Sequence, residues 1–81
     1  DEAVTLTENT TFYMDTIVAA EIIVPQGITL SVIGVLTVNV DIQNYGTINV
    51  TGAVIEDLAN VDNKTNPDGT TGTLNAGWQL K

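Results

Sequence analysis

The 81-residue sequence contains no cysteine and no histidine. The first absence excludes disulfides and thiolate–metal sites. The second removes the usual proton carrier of nucleophile–base pairs, so an enzyme is not expected. Cations are scarce as well: Lys64 and Lys81 stand against ten Asp and Glu, for a net charge of −8. Such a surface repels phosphate backbones, so nucleic acid is not an expected partner. Anionic membrane surfaces are disfavoured for the same reason. No apolar run reaches about 18 residues without polar interruption, so neither a membrane insertion nor a signal peptide is expected. The acidic residues are scattered and form no run, which reads as a charged exterior rather than an acidic tail. The chain opens at Asp1, which reads as a processed chain, a fragment or a sequence without its start.

What the sequence has in abundance is alternation. Twelve of the seventeen even positions from 22 to 54 are Val, Ile or Leu, while Thr, Ser, Asn, Asp and Gln fill most odd ones. Side chains alternate faces along a strand, so this pattern predicts β structure with one dry and one wet face. Val, Ile and Thr also fit a pleated surface and resist helix. The dry parity never flips within the stretch. A two-residue hairpin turn would flip it, so tight hairpins are disfavoured. Odd-length loops or solenoid corners would preserve it.

Internal similarity points the same way. "GVLTVN" (34–39) matches "GTINVT" (46–51) in type, and "QGITLS" (26–31) matches both less well. Setting residues 22–31 against 42–51 aligns Ile22 with Ile42, Ile28 with Ile48 and Leu30 with Val50, an offset of 20 residues. A coil of a parallel β-helix needs about that length. "GVLTVNVDIQNYGTINVTG" resembles segments of parallel β-helix surface proteins, including bacterial adhesins and phage fibres. The resemblance spans roughly residues 22–54, and no further coils are expected to follow it.

The chain reads as one all-β domain, a short β-solenoid or β-sandwich-like subunit completed by neighbouring subunits. Residues 1–16 form an N-terminal strand segment, with "AVTLT" a strand and "TFYM" a second candidate. Residues 17–55 are the alternating core, 56–72 a turn and loop region, and 73–81 a C-terminal strand. "AVIEDLANV" (53–61) either closes as a short helical turn or is irregular. Asn66–Pro67–Asp68–Gly69 predicts a type I turn with proline second.

Ile22, Ile28, Leu30, Val32, Leu36, Val38, Val40, Ile42, Ile48 and Val50 are the expected core and assembly residues. Two coils would leave open ends, repeat folds generally need three units, and open β edges recruit strands. Copies of the chain are therefore the expected partner. Ile23, Ile33, Val35 and Tyr45, on the otherwise polar face, point the same way.

Other sites carry weaker signals. Asn9, Asn49 and Asn63 each head an N-x-Thr sequon, acceptors for N-glycans in an exported chain. Composition alone produces one or two such sequons, and Asn63 is the best placed because it falls in the expected loop. Tyr13, Tyr45 and Trp78 are candidates for stacking on sugar rings or for an interface. The stretch "DNKTNPDG" fails the EF-hand pattern, because Lys64 and Pro67 occupy key positions. No catalytic, metal or cofactor site is expected. The pattern as a whole predicts a non-enzymatic structural subunit, extracellular, cell-surface or on a virion. It would self-assemble into a homo-oligomeric fibre or coat by strand pairing and apolar-face stacking. The alternative is a carbohydrate-binding or adhesin module of a longer fibre.

Overall fold

The fold is that of a computed structural model describing residues 3–80; Asp1, Glu2 and Lys81 lie outside it, as does the last position of the expected 73–81 strand. Ten strands follow in order: β1 (Val4–Thr5), β2 (Thr10–Phe12), β3 (Thr16–Val18), β4 (Ile22–Val24), β5 (Thr29–Val32), β6 (Leu36–Val38), β7 (Ile42–Asn44), β8 (Thr47–Glu56), β9 (Val61–Asn63) and β10 (Thr73–Leu80). Every named strand pair is parallel. The chain winds as a β-solenoid of about three turns, with no helix among the described residues.

Three faces result. The first stacks β1-β4-β7-β9. The second stacks β2, β5 and the first parts of β8 and β10. The third stacks β3, β6 and the second parts of β8 and β10. The second and third faces merge into one sheet because β8 and β10 run unbroken round the corner between them. "AVIEDLANV" is therefore not helical: its first four residues end β8, residues 57–59 bend, and Val61 opens β9.

The conserved parity of the dry positions follows from this winding. Val24, Leu30, Val32, Leu36, Val38, Ile42, Ile48, Val50 and Val54 all point into the coil and are buried, joined by Val18 from the first turn. Each such side chain contributes about 1.5–3 kcal/mol on burial. Ile22 and Ile28 are half-buried and pack against this cluster. Val40 is half-buried in a bend outside it, where the chain turns from the third face back to the first. The stripe expected to stack on neighbours is thus covered by the chain's own coils. Ile23, Val35 and Tyr45 are half-buried as well, and of that set only Ile33 is exposed.

Two sequence expectations are corrected by the extent of the coil. The solenoid continues on both sides of residues 22–54. The first turn occupies Val4–Val18, with Thr10 beside Leu30 and Val18 beside Val38. A further rung follows, with Val61 beside Ile42 and Leu74 beside Ile48. The expected loop region 56–72 therefore contains a strand, β9, which ends at Asn63.

The 20-residue offset holds where Ile22 meets Ile42. On the second face it holds between β2 and β5 but shrinks to 18 between β5 and β8, Thr29 to Thr47, because two residues connect β7 to β8 where four connect β4 to β5. Leu30 consequently stacks on Ile48, not on Val50. Stacking at the corners requires small residues. A Cβ on Gly52 would come within 2.6 Å of the Gly34 carbonyl oxygen, and one on Gly77 within 2.9 Å of the Gly52 carbonyl oxygen.

Candidate functional site: two open ends and an outward polar face

Corner amides that no strand partner reaches are held by short polar side chains from the turn below. The Thr29 amide donates to Asn9 Oδ1 (2.9 Å), the Val35 amide to Asp15 Oδ1 (2.9 Å) and the Asn60 amide to Asp41 Oδ1 (3.1 Å). Backbone donors left unpaired in a compact fold are costly, so these residues stitch one turn to the next. Sequence reasoning missed these roles. The signal was available: each side chain lies 19 or 20 residues before the amide it holds.

Three polar side chains are buried among the described residues: Asn44, Glu56 and, in the loop between β9 and β10, Asn66. Asn44 is fully buried and fully engaged: Nδ2 donates to Asn63 Oδ1 and to the Thr73 carbonyl (both 3.0 Å), and Oδ1 accepts from the Gly46 amide at 3.1 Å. Glu56 accepts from the Val61 amide at 2.9 Å and from Gln79 Nε2 at 3.1 Å, tying the last corner to the last strand.

The connection between β9 and β10 is the longest in the chain. It turns through Asn66–Gly69, where the Gly69 amide donates to the Asn66 carbonyl at 2.9 Å, consistent with the expected β-turn. Asn66 Nδ2 donates to the Tyr45 carbonyl at 2.9 Å, and Asp68 Oδ2 accepts from Gln26 Nε2 at 2.6 Å. The loop therefore lies along the side of the solenoid, toward earlier turns, and is not folded across the end.

Hydrogen bonds from the Thr70 hydroxyl, the Thr70 amide and Gln26 hold the Asp68 carboxyl below its ordinary value of 3.8. A carboxyl depressed in the fold stabilises above its unfolded pKa, and that contribution is lost as pH falls through the folded value. Asp68→Ala is accordingly expected to lower the urea midpoint slightly at neutral pH. The gap to wild type should close below pH 3.8, as unfolding curves across the acid range will show.

The sequon asparagines are all exposed, in different settings. Asn9 caps Thr29, Asn63 closes β9 and accepts from Asn44, and Asn49 sits mid-strand accepting from Asn75 Nδ2 at 2.9 Å. Asn63 is thus not a loop residue. Tyr13 and Trp78 are 79% and 58% exposed, whereas Tyr45 is half-buried at a different corner, so the three do not form one cluster. The second face presents Thr11, Ser31, Asn49 and Asn75 in one outward column and Thr29, Thr47 and Thr73 in another. No cavity opens anywhere in the described structure, and no group of three metal-ligating side chains gathers among the described residues.

The apolar surface that stays exposed is concentrated in the first turn. Val4, Phe12, Tyr13, Met14 and Ile17 are all exposed there, against Ile33, Leu58 and Trp78 in the rest of the described chain. The strands β1, β2 and β3 have no partner on their outer edge among the described residues; neither do β9 and β10 at the other end. No family model matches the chain, and neither the curated proteins nor the solved structures contain a significant match.

Proposed function

We propose that the chain is a non-enzymatic structural subunit, extracellular, cell-surface or virion-borne, that builds a fibre or coat by strand pairing with copies of itself. The observation that carries this reading is the state of the two ends. Both present unpaired parallel strands, and the first turn exposes five large apolar side chains. Open edges of this kind template further strands, and none of β1, β2, β3, β9 or β10 contains a lysine or proline to block them. Apolar-face stacking has no part in the reading, because the apolar stripe faces the chain's own interior. The net charge of −8 opposes association at low ionic strength. Sedimentation velocity across a dilution series is the test, and species should grow with concentration and with added salt. A monomer unchanged by either would overturn the proposal.

A second reading, a carbohydrate-binding or adhesin module, is favoured by one observation. Tyr13 and Trp78 are both exposed, beside an uncharged outward face of Thr, Ser and Asn columns. Exposed aromatic rings stack on sugars, and such hydroxyls and amides supply hydrogen bonds. Under this reading a Tyr13→Ala, Trp78→Ala double variant loses retention on immobilised glycans while its sedimentation is unchanged.

A further inference from the structure

Resting on the self-assembly reading, we infer a specific contact: the β10 edge of one copy pairs in parallel with the β2 and β3 edge of the next. The solenoid then continues in register across the boundary.

The side-chain columns support this register. One inward column runs Phe12, Val32, Val50 and Ala76. Its two middle members are buried, Phe12 is 36% exposed at one end, and Ala76 is half-buried at the other. Continuing the column seats the large Phe12 of one copy over the small Ala76 of the other, so bulk meets space. The next inward column runs Thr10, Leu30, Ile48 and Leu74, which places Thr10 over the half-buried Leu74. On the third face Thr16, Leu36, Val54 and Gln79 form a column, so a hydroxyl meets the amide that reaches Glu56. Phe12 on Ala76 matches bulk with space and Thr16 on Gln79 matches polar groups, while Thr10 lies over Leu74 as a small cover on an apolar side chain.

Charge agrees with a head-to-tail order. Lys64 directly follows β9 in the last rung, and its amide donates to the Asn44 carbonyl just as the Tyr45 amide donates to the Val24 carbonyl one turn earlier. Extending that column by one rung brings Lys64 toward Thr7 and Glu8 of the next copy. An exposed pair of this type fixes orientation more than affinity. Nothing among the described residues covers the β10 edge, since the loop between β9 and β10 is tied down to Gln26 and Tyr45.

The contact is heterologous, using different surfaces on the two copies, and such contacts propagate unless rotation closes them. Each copy adds four rungs on the first face; at about 4.8 Å per rung the filament gains roughly 19 Å per subunit.

The chain has no cysteine, so introduced thiols report on this register alone. Thr11 and Asn75 end one outward column, so parallel pairing between copies places them as neighbours, at a spacing a disulfide spans. Under mild air oxidation the Thr11→Cys, Asn75→Cys double variant should give a thiol-reversible ladder of dimers, trimers and longer species. Each single variant should stay uncrosslinked. Ser31→Cys with Asn49→Cys, neighbours within one chain, should close internally without a ladder and shows that this column accepts a disulfide. A double variant that assembles in sedimentation without a ladder would overturn this contact and leave self-assembly standing. So would dimers from Thr11→Cys alone, which mean that first turns meet each other. Absence of both assembly and ladder would remove the two proposals together.

Discussion

Gly46→Val is expected to unfold the chain, or to lower its melting temperature by more than about 12 °C. Gly46 lies in the two-residue corner between β7 and β8, and a Cβ there runs into the backbone carbonyls of Ile28 and Pro25 in the turn below. Backbone in a stacked corner cannot swing aside as a long side chain does. The turn below must shift, and overpacking of this kind costs about 3 kcal/mol or more. For a domain of this length about 4–8 °C of melting temperature is lost per kcal/mol. Gly69→Ala is the matched control. Its Cβ meets nothing within 4 Å, and its φ of +89° carries only the usual strain of a left-handed residue, about 1 kcal/mol. Calorimetry of the two variants reads the difference directly. Equal, small shifts would mean that the coils are not packed corner on corner.

The second large effect belongs to Asn44, for a different physical reason. Asn44→Ala deletes the partners of the Gly46 amide, the Thr73 carbonyl and Asn63 Oδ1 at once, and removes a side chain that is itself fully buried. Orphaned buried polar groups cost about 1–3 kcal/mol each, so a loss of roughly 3 kcal/mol is expected even with partial relaxation. Asn44→Val separates packing from hydrogen bonding, because valine is the residue at the equivalent position, Val24, one turn earlier. It should be nearly as destabilising as alanine. Asn39 supplies the contrast: its Oδ1 is buried without a partner. Asn39→Ala should therefore cost almost nothing or add stability. Urea midpoints of the three variants test the ordering.

These two residues also show how far the sequence could be read. The alternation at Leu30–Val32, Leu36–Val38 and Ile48–Val50 was legible because burial acts on every second side chain, whatever the strands pair with. The absence of a parity flip was equally legible, since a coil that always turns the same way keeps the same side dry. The match of Ile22 to Ile42 recovered the true register on one face. Register on the second face was hidden, because it depends on corner lengths, and only the two-residue link through Tyr45 and Gly46 shortens the coil there. In the first turn the strands at "AVTLT" and "TFYM" were legible but not their winding into a coil, although Leu6, Phe12 and Val18 keep the even parity, because these strands are two or three residues long and broken by polar corners. The C-terminal strand was legible, but its place as a further rung was not, for another reason. The nine-residue connection from β9 to β10 separates Val61 from Leu74 and destroys any fixed period.

The open ends were foreseen in kind but misplaced in cause. The expectation held that an uncovered apolar stripe would drive assembly, yet that stripe closes on itself within the coil. What is left exposed sits on the first turn, in Val4, Phe12, Tyr13, Met14 and Ile17. Burial of this kind depends on which turn comes first, a property of topology that no local pattern encodes.

Amide hydrogen exchange, followed in dilute and in concentrated samples, tests the account most directly. Amides of β5, β6 and the middle of β8 should be protected in both, because their partners lie within the chain. Those facing outward from β2, β3 and β10 should exchange quickly when dilute and gain protection when concentrated. Edge amides whose exchange ignores concentration, or rapid exchange throughout β5 and β8, would contradict a solenoid that is closed along its sides and open only at its ends.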